Sequence, residues 1–295
     1  MAIFIDENTR VVVQGIGAQG TFHAKRNQDY GTNIVAGTHP KKGGTIWEPL
    51  GVKVHASVRE AVEELGANTS MVMVPAPFTK DAILEAYEAG IQTIVAITEG
   101  VPVHDMTEVY DTVVRRGGVR LIGPNCPGLI SPGKSNVGII PADITKPGKV
   151  GLVSRSGTLT YQIMHELAQA GIGISTCVGI GGDPVIGTQF LDVIKAFAAD
   201  PETEAIAFVG EIGGSEEQLA GQWISENIPD LPVVGYIAGF EAPPGKQMGH
   251  AGAIVKEDGP GGESAAEKKE ILGAMGIPVA INPSEAAQLM IKRLS

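Results

Sequence analysis

Short apolar runs alternate with amphipathic stretches along the whole chain. That alternation predicts strands buried on both faces of a parallel sheet, with covering helices between them. In the first half, residues 11–13, 34–36, 52–54, 70–74, 93–97 and 119–122 read as strands. Helices are predicted over 21–30, 58–65, 80–89 and 105–116. Ser57 is placed to cap the second of these, with Glu60 completing a capping box. Gly90 and Gly117 stand where the next two should stop.

The second half repeats the grammar. Strands are predicted at 150–153, 174–178, 205–209, 233–237 and 278–281, with helices at 159–170, 190–199, 216–227, 265–275 and 284–294. Between the halves, Pro124, Pro127, Pro132, Pro141 and Pro147 stand among several glycines. The expected organisation is therefore a first domain over 1–125, a linker over 126–148 and a second domain over 149–295.

Composition narrows the class. The chain has 295 residues and is 43% hydrophobic, enough for two cores of ordinary size. A net charge of −11 argues against a nucleic-acid surface. It leaves room for an anionic ligand held locally at a helix N-terminus. Cys126 and Cys177 are too few for a disulfide framework or a cysteine metal site. No signal or transit pattern and no 18-residue apolar run is present, so a cytoplasmic protein without a membrane span is expected.

Ligands of open parallel sheets bind at the carboxyl ends of the strands. Three polar loops of the second half leave such ends. They carry Ser156-Gly157-Thr158, Glu211 and His250. The first sits where a strand becomes a helix, whose leading N–H groups have no internal partner and attract a phosphate. His250 lies among small residues, between Gly249 and Gly252, and is the candidate acceptor of a phosphoryl group. Glu211 is the candidate carboxylate that fixes its tautomer. Each feature alone has an ordinary reading: an N-cap, a solvated acid, a surface histidine. Convergence of the three on one crevice is the argument.

In the first half, Gly15-x-Gly17-x-x-Gly20 lies between a strand and a helix, as a dinucleotide-binding turn does. No acid stands at the end of the second strand to bind ribose hydroxyls; Lys41 and Lys42 follow it instead. A nucleotide with an extra phosphate fits better than NAD, which leaves NADP and coenzyme A both open. Cys126 has no histidine nearby in sequence and reads as a small buried residue.

Several segments together resemble the α subunits of succinyl-CoA synthetases, the NDP-forming succinate–CoA ligases. These are Ser-Arg-Ser-Gly-Thr-Leu-Thr-Tyr at 154–161, Gly-Ile-Gly-Gly-Asp-Pro at 179–184, Gly-Glu-Ile-Gly-Gly at 210–214 and Met-Gly-His-Ala-Gly-Ala at 248–253, with Gly-Pro-Asn-Cys-Pro-Gly at 123–128 and Ile-Thr-Glu-Gly at 97–100. The resemblance implies an α/β protein with an N-terminal Rossmann-like CoA-binding domain and a C-terminal flavodoxin-like domain. It implies a phosphohistidine at His250 held by Glu211, phosphate binding at Ser156, Gly157 and Thr158, and substrate contacts from Tyr161 and Asn125. It maps coenzyme A onto Gly17, Ala18, Gln19, Lys42, Ile97, Thr98 and Glu99. It also implies an ATP-grasp β subunit that binds ATP or GTP with Mg²⁺, in an αβ or α2β2 assembly. A malate–CoA ligase subunit shares the motifs. From other classes, an NADP-dependent oxidoreductase and a non-catalytic CoA-binding module are the alternatives. The chain departs from the family in a glycine loop one residue shorter, in Thr38-His39-Pro40-Lys41-Lys42 and over 257–264.

Overall fold

The computed structural model describes residues 2–255 and 261–294. Of the divergent stretch 257–264, residues 257–260 therefore lie outside the described residues. The chain divides into two compact units, one built from residues 4–142 with 185–188, the other from 143–184 and 189–295 with the extreme N-terminal residues.

The first unit contains, in order, β1 (Arg10–Gln14), α1 (Ala18–Tyr30), β2 (Asn33–Thr38), β3 (Ile46–Trp47), β4 (Val52–His55), α2 (Val58–Leu65), β5 (Thr69–Val72), α3 (Thr79–Glu88), β6 (Thr93–Ala96), α4 (Val103–Val109), β7 (Arg120–Ile122), β8 (Gly128–Ser131) and β9 (Ser135–Gly138). Its sheet runs β3-β4-β2-β1-β5-β6-β7, parallel except for the edge strand β3. Without that edge strand the order is that of a dinucleotide-binding sheet, with its reversal between β1 and β5. Val12, Val72, Ile83, Ile94 and Leu121 are fully or almost fully buried in one core. Ser57 caps α2 by accepting the Glu60 N–H at 3.3 Å, but the Glu60 carboxylate turns back to the Ala56 N–H. The stretch expected as one helix over 105–116 continues past α4 as a π-helical turn over Tyr110–Val114.

The segment expected as a linker holds a hairpin. β8 pairs antiparallel with β9, and all eight strand residues are buried. Its glycines serve close strand pairing: a Cβ on Gly128 would lie 2.2 Å from the Val137 carbonyl oxygen. Asn27 Nδ2 donates to the Gly138 carbonyl at 2.9 Å, and Thr32 exchanges two hydrogen bonds with the Asn136 backbone, so the hairpin is tied to the first unit.

The second unit contains β10 (Pro147–Ser154), α5 (Gly157–Gln169), β11 (Ile174–Gly179), α6 (Phe190–Ala199), β12 (Ala205–Glu211), α7 (Glu216–Asn227), β13 (Val233–Ala238), α8 (Ala265–Ala274), β14 (Val279–Ala280) and α9 (Pro283–Leu294). These strands order as β14-β13-β12-β10-β11, all parallel. This is the 2-1-3-4-5 arrangement of flavodoxin-like sheets. Glycines on the strands make room for aromatic rings: a Cβ on Gly151 would meet the Phe197 ring at 2.6 Å, and one on Gly235 the Phe208 ring at the same distance. Among the described residues no helix is long and apolar enough to cross a membrane.

Candidate active site

The sheet order of the second unit reverses at β10, between β11 and β12, and the register sets three strand ends at one edge. Ser154 lies beside Gly179 on one side and Val209 on the other, and Glu211 closes β12 beside Ala238. Ser154 and Glu211 are therefore brought to the same edge, at the switch point where open sheets bind ligands.

The turn from β10 to α5 is built by serines. The Ser156 N–H donates to Ser154 Oγ at 3.2 Å, and Ser156 Oγ accepts the Leu159 N–H at 3.3 Å. Ser156 is thus a working N-cap for the third residue of the helix. Gly157 and Thr158 supply the leading backbone donors that a helix cannot satisfy itself. Thr158 is exposed, and Tyr161 is half-buried one turn along the same helix.

Glu211 is 7% exposed at the end of the central strand. Its Oε2 lies 2.6 Å from His250 Nδ1, and its Oε1 lies 3.4 Å from the Arg155 guanidinium. Arg155 also donates to Glu216 at 2.8 Å. An ionised carboxylate only accepts hydrogen bonds, so His250 Nδ1 carries the shared proton and Nε2 is left as the free lone pair of the neutral ring. The hydrogen bond that His250 Nδ1 donates to the Glu211 carboxylate holds the His250 pKa above its usual value of 6.5, against burial and Arg155, which act to lower it; Asp183 adds a smaller upward push.

The loop carrying His250 is shaped locally. Met248 N–H donates to the Ala253 carbonyl at 2.8 Å and Ala253 N–H to the His250 carbonyl at 3.1 Å. Gly249 holds a left-handed φ of 76°. Two glycines elsewhere admit this loop. A Cβ on Gly182 would lie 2.3 Å from His250 Cδ2 and Nε2, and one on Gly213 would lie 2.0 Å from the Gly252 carbonyl oxygen. The imidazole therefore rests directly against the backbone of the loop after β11. A cavity of about 380 Å³ opens beside the pair, lined among others by Arg155, Pro184, Glu211, Glu216 and Gly252. Among the described residues no cluster suited to a metal ion is present.

Glu211 and His250 are in direct contact, and Ser156, Gly157 and Thr158 start the helix after the neighbouring strand. The sequence alone singles out none of Arg155, Gly182, Glu217 and Lys268, although the first two lie within the motifs at 154–161 and 179–184. Lys268 carried a signal: it stands in the first turn of a helix capped by Ser264, where the dipole disfavours a cation.

In the first unit, Gly17 is the N-cap of α1 and makes no side-chain cap, so the N–H groups of Ala18 and Gln19 face outward; all three residues are exposed. Gly15 takes a φ of 110°, and a Cβ on Gly20 would lie 1.8 Å from the Gly15 carbonyl oxygen, so this tight turn needs both glycines. A cleft of about 820 Å³ runs along the turn, lined by Gly15, Gly17, Thr38, His39, Lys41 and Pro75 among others. Lys41 lines it. Lys42, Ile97, Thr98 and Glu99 are not among its lining residues. Lys42 sits instead in the exposed turn after β2, its N–H bonded to the His39 carbonyl. Thr98 Oγ1 donates to the Val74 carbonyl at 2.7 Å, and Asn125, at a left-handed φ of 52°, donates its N–H to the Thr98 carbonyl. Asn125 and Tyr161, the two expected substrate contacts, belong to different units. The Cys126 thiol is buried and donates to the Ala96 carbonyl at 3.2 Å.

Family models match both units: a CoA binding domain over residues 6–100 and a CoA-ligase over 153–275. The chain is 56% identical to the succinate–CoA ligase [ADP-forming] subunit alpha 2 of Archaeoglobus fulgidus, over the full length of both. It is 52% identical to the corresponding α subunit of Aquifex aeolicus, over all of this chain and 95% of that one. Among solved structures, an ATP citrate lyase from Methanothrix soehngenii in complex with citrate and coenzyme A superposes with a TM-score of 0.88 at 24% identity, covering 99% of this chain and 50% of the lyase, which speaks to the fold alone.

Proposed function

Because the chain belongs to the family of succinate–CoA ligase α subunits, we propose that His250 carries a phosphoryl group from a nucleoside triphosphate to succinate. The enzyme is an acid–thiol ligase that uses coenzyme A, and an α subunit implies a β partner. The match to a CoA binding domain decides between the two nucleotides that the lysines left open.

The observation that carries the reading is the 2.6 Å contact between His250 Nδ1 and a carboxylate that is itself almost wholly buried. It presents Nε2 as nucleophile. Nε2 attacks the terminal phosphorus of the triphosphate; the N–P bond forms as the bond to the nucleoside diphosphate breaks. The positive charge that develops on the ring is met by Glu211, in the orienting role of a carboxylate beside a catalytic histidine. A succinate oxygen then takes the phosphoryl group and the ring leaves neutral. The thiolate of coenzyme A attacks the resulting mixed anhydride at carbon and expels phosphate. The donors of Gly157 and Thr158 at the start of α5 hold the phosphate oxygens while they are in transit.

Coenzyme A fits the first unit by the same physics. Its pyrophosphate takes the uncapped N-terminus of α1 at Gly17, Ala18 and Gln19, and the extra ribose phosphate takes the lysines after β2. Ile97, Thr98 and Glu99 supply further contacts, and Asn125 and Tyr161 contact the substrates. The coenzyme A site belongs to the proposed first domain, 1–125, and the phosphoryl-transfer site to the proposed second, 149–295, with 126–148 between them. The partner is an ATP-grasp β subunit that binds the nucleotide with Mg²⁺, in an αβ or α2β2 enzyme of the cytoplasm. The names of the relatives favour succinate over malate and ADP over GDP.

Mixing the chain with its cognate β subunit, ATP, succinate and coenzyme A tests this. Thioester and inorganic phosphate are expected in equal amounts, and His250→Asn should abolish both. Turnover by that variant, or nicotinamide-dependent turnover by the wild type, would overturn the reading.

A further inference from the structure

Behind the His250–Glu211 pair lies a second, buried ion pair. Lys268 is fully buried and Glu217 is 2% exposed. Lys268 Nζ donates to Glu217 Oε2 at 2.5 Å and to the backbone carbonyls of Glu211 and Gly213, both at 2.7 Å, which uses all three of its protons. Glu217 Oε1 accepts the N–H of Glu211 at 3.1 Å. The pair therefore grips both the N–H and the C=O of one residue, the one whose side chain holds the imidazole.

Stability does not explain this arrangement. Desolvating two charges costs so much that a buried ion pair is often no more stabilising than apolar groups of the same volume. Lys268 also sits in the first turn of α8, the wrong end of the dipole for a cation. The fold is shaped to admit the pair: a Cβ on Gly210 would lie 2.5 Å from Glu217 Cγ and Oε1.

We propose that Lys268 and Glu217 are positioning residues of the phosphoryl-transfer site, which clamp the Glu211 backbone so that its carboxylate stays aligned on His250 Nδ1. The inference rests on the phosphohistidine reading for its consequence, but its geometric core concerns only Glu211 and His250. The charged groups that bear on the ring are Glu211 from β12, Arg155 from the β10–α5 turn and Asp183 from the loop after β11. Glu217 and Lys268 act on it through Glu211.

The test uses the full chain with histidine ring signals followed by NMR through a pH titration, and the α–β complex for labelling. One variant pairs Lys268→Met with Glu217→Gln, so that no charge is left buried alone. A second, Gly210→Ala, displaces the Glu217 side chain while keeping both charges. In the wild type the His250 midpoint is expected above 6.5. Both variants are expected to lower it, and to cut the rate of histidine phosphorylation by about 10- to 100-fold with the KM for coenzyme A unchanged. A merely structural pair would lower thermal stability and leave the His250 midpoint in place; that result in either folded variant overturns the proposal. Failure of the wild-type complex to phosphorylate His250 would instead strike the functional reading, and the NMR titration would still decide the clamp.

Discussion

Gly182→Ala is the smallest change that should disable the site. The added methyl would stand 2.3 Å from Cδ2 and Nε2 of His250, whereas non-bonded carbons settle at about 3.5–4.0 Å. The ring must therefore move by roughly 1–2 Å. Gly182 does not hold a left-handed backbone, so alanine is accepted there without backbone strain. The ring is also held by a hydrogen bond of 2.6 Å to Glu211, and a shift of that size takes Nδ1 out of line with the carboxylate, where a hydrogen bond weakens steeply. Hydrogen bonds to charged groups contribute about 1.5–3 kcal/mol, and each 1.36 kcal/mol is tenfold in rate. The expected loss is about 10- to 100-fold in the rate of His250 phosphorylation, read by rapid-quench labelling of the α–β complex. Thermal stability should hold, because the strained contact is with a side chain of a surface loop. Phosphorylation of Gly182→Ala at the wild-type rate would refute the inference that this ring position matters.

Other expectations follow from the same geometry. The raised His250 pKa means that Nε2 is protonated and unreactive at low pH; the single-turnover phosphorylation rate should rise with pH through a midpoint above 6.5, and Glu211→Gln should move that midpoint down. Gly17→Asp places a good N-cap at the start of α1 and should raise stability by a few tenths of a kcal/mol while its charge repels the pyrophosphate; the melting temperature and the KM for coenzyme A should both rise, the latter by about tenfold or more. Lys41→Glu should raise that KM more than Lys42→Glu does, because Lys41 lines the cleft and Lys42 does not; an equal effect in steady-state assays would count against the cleft as the binding site.

Much of this was legible in the sequence because local and global signals agree. Residues 190–199 and 216–227 are helices to the residue, and Ser57 and Ser156 act as the caps their positions suggest. What was missed has physical reasons. The hairpin of β8 and β9 hides among prolines and glycines that elsewhere mark loops, because its four-residue strands are too short to show an alternation and begin or end on glycines needed for close approach. Lys41 and Lys42 are adjacent, and only the turn after β2 decides which one faces the cleft. Gly182 resembles any loop glycine until the ring it supports is seen, and the clamp of Lys268 and Glu217 joins two helices whose spacing in sequence says nothing of their contact.

Incubating the chain with its β subunit and ATP labelled at the terminal phosphate, then mapping the label, tests directly whether one imidazole nitrogen carries phosphate. Acid-labile, base-stable phosphate is expected on His250 at Nε2, discharged by succinate with coenzyme A and absent from His250→Asn. Label on any other residue, or full labelling of that variant, would contradict it.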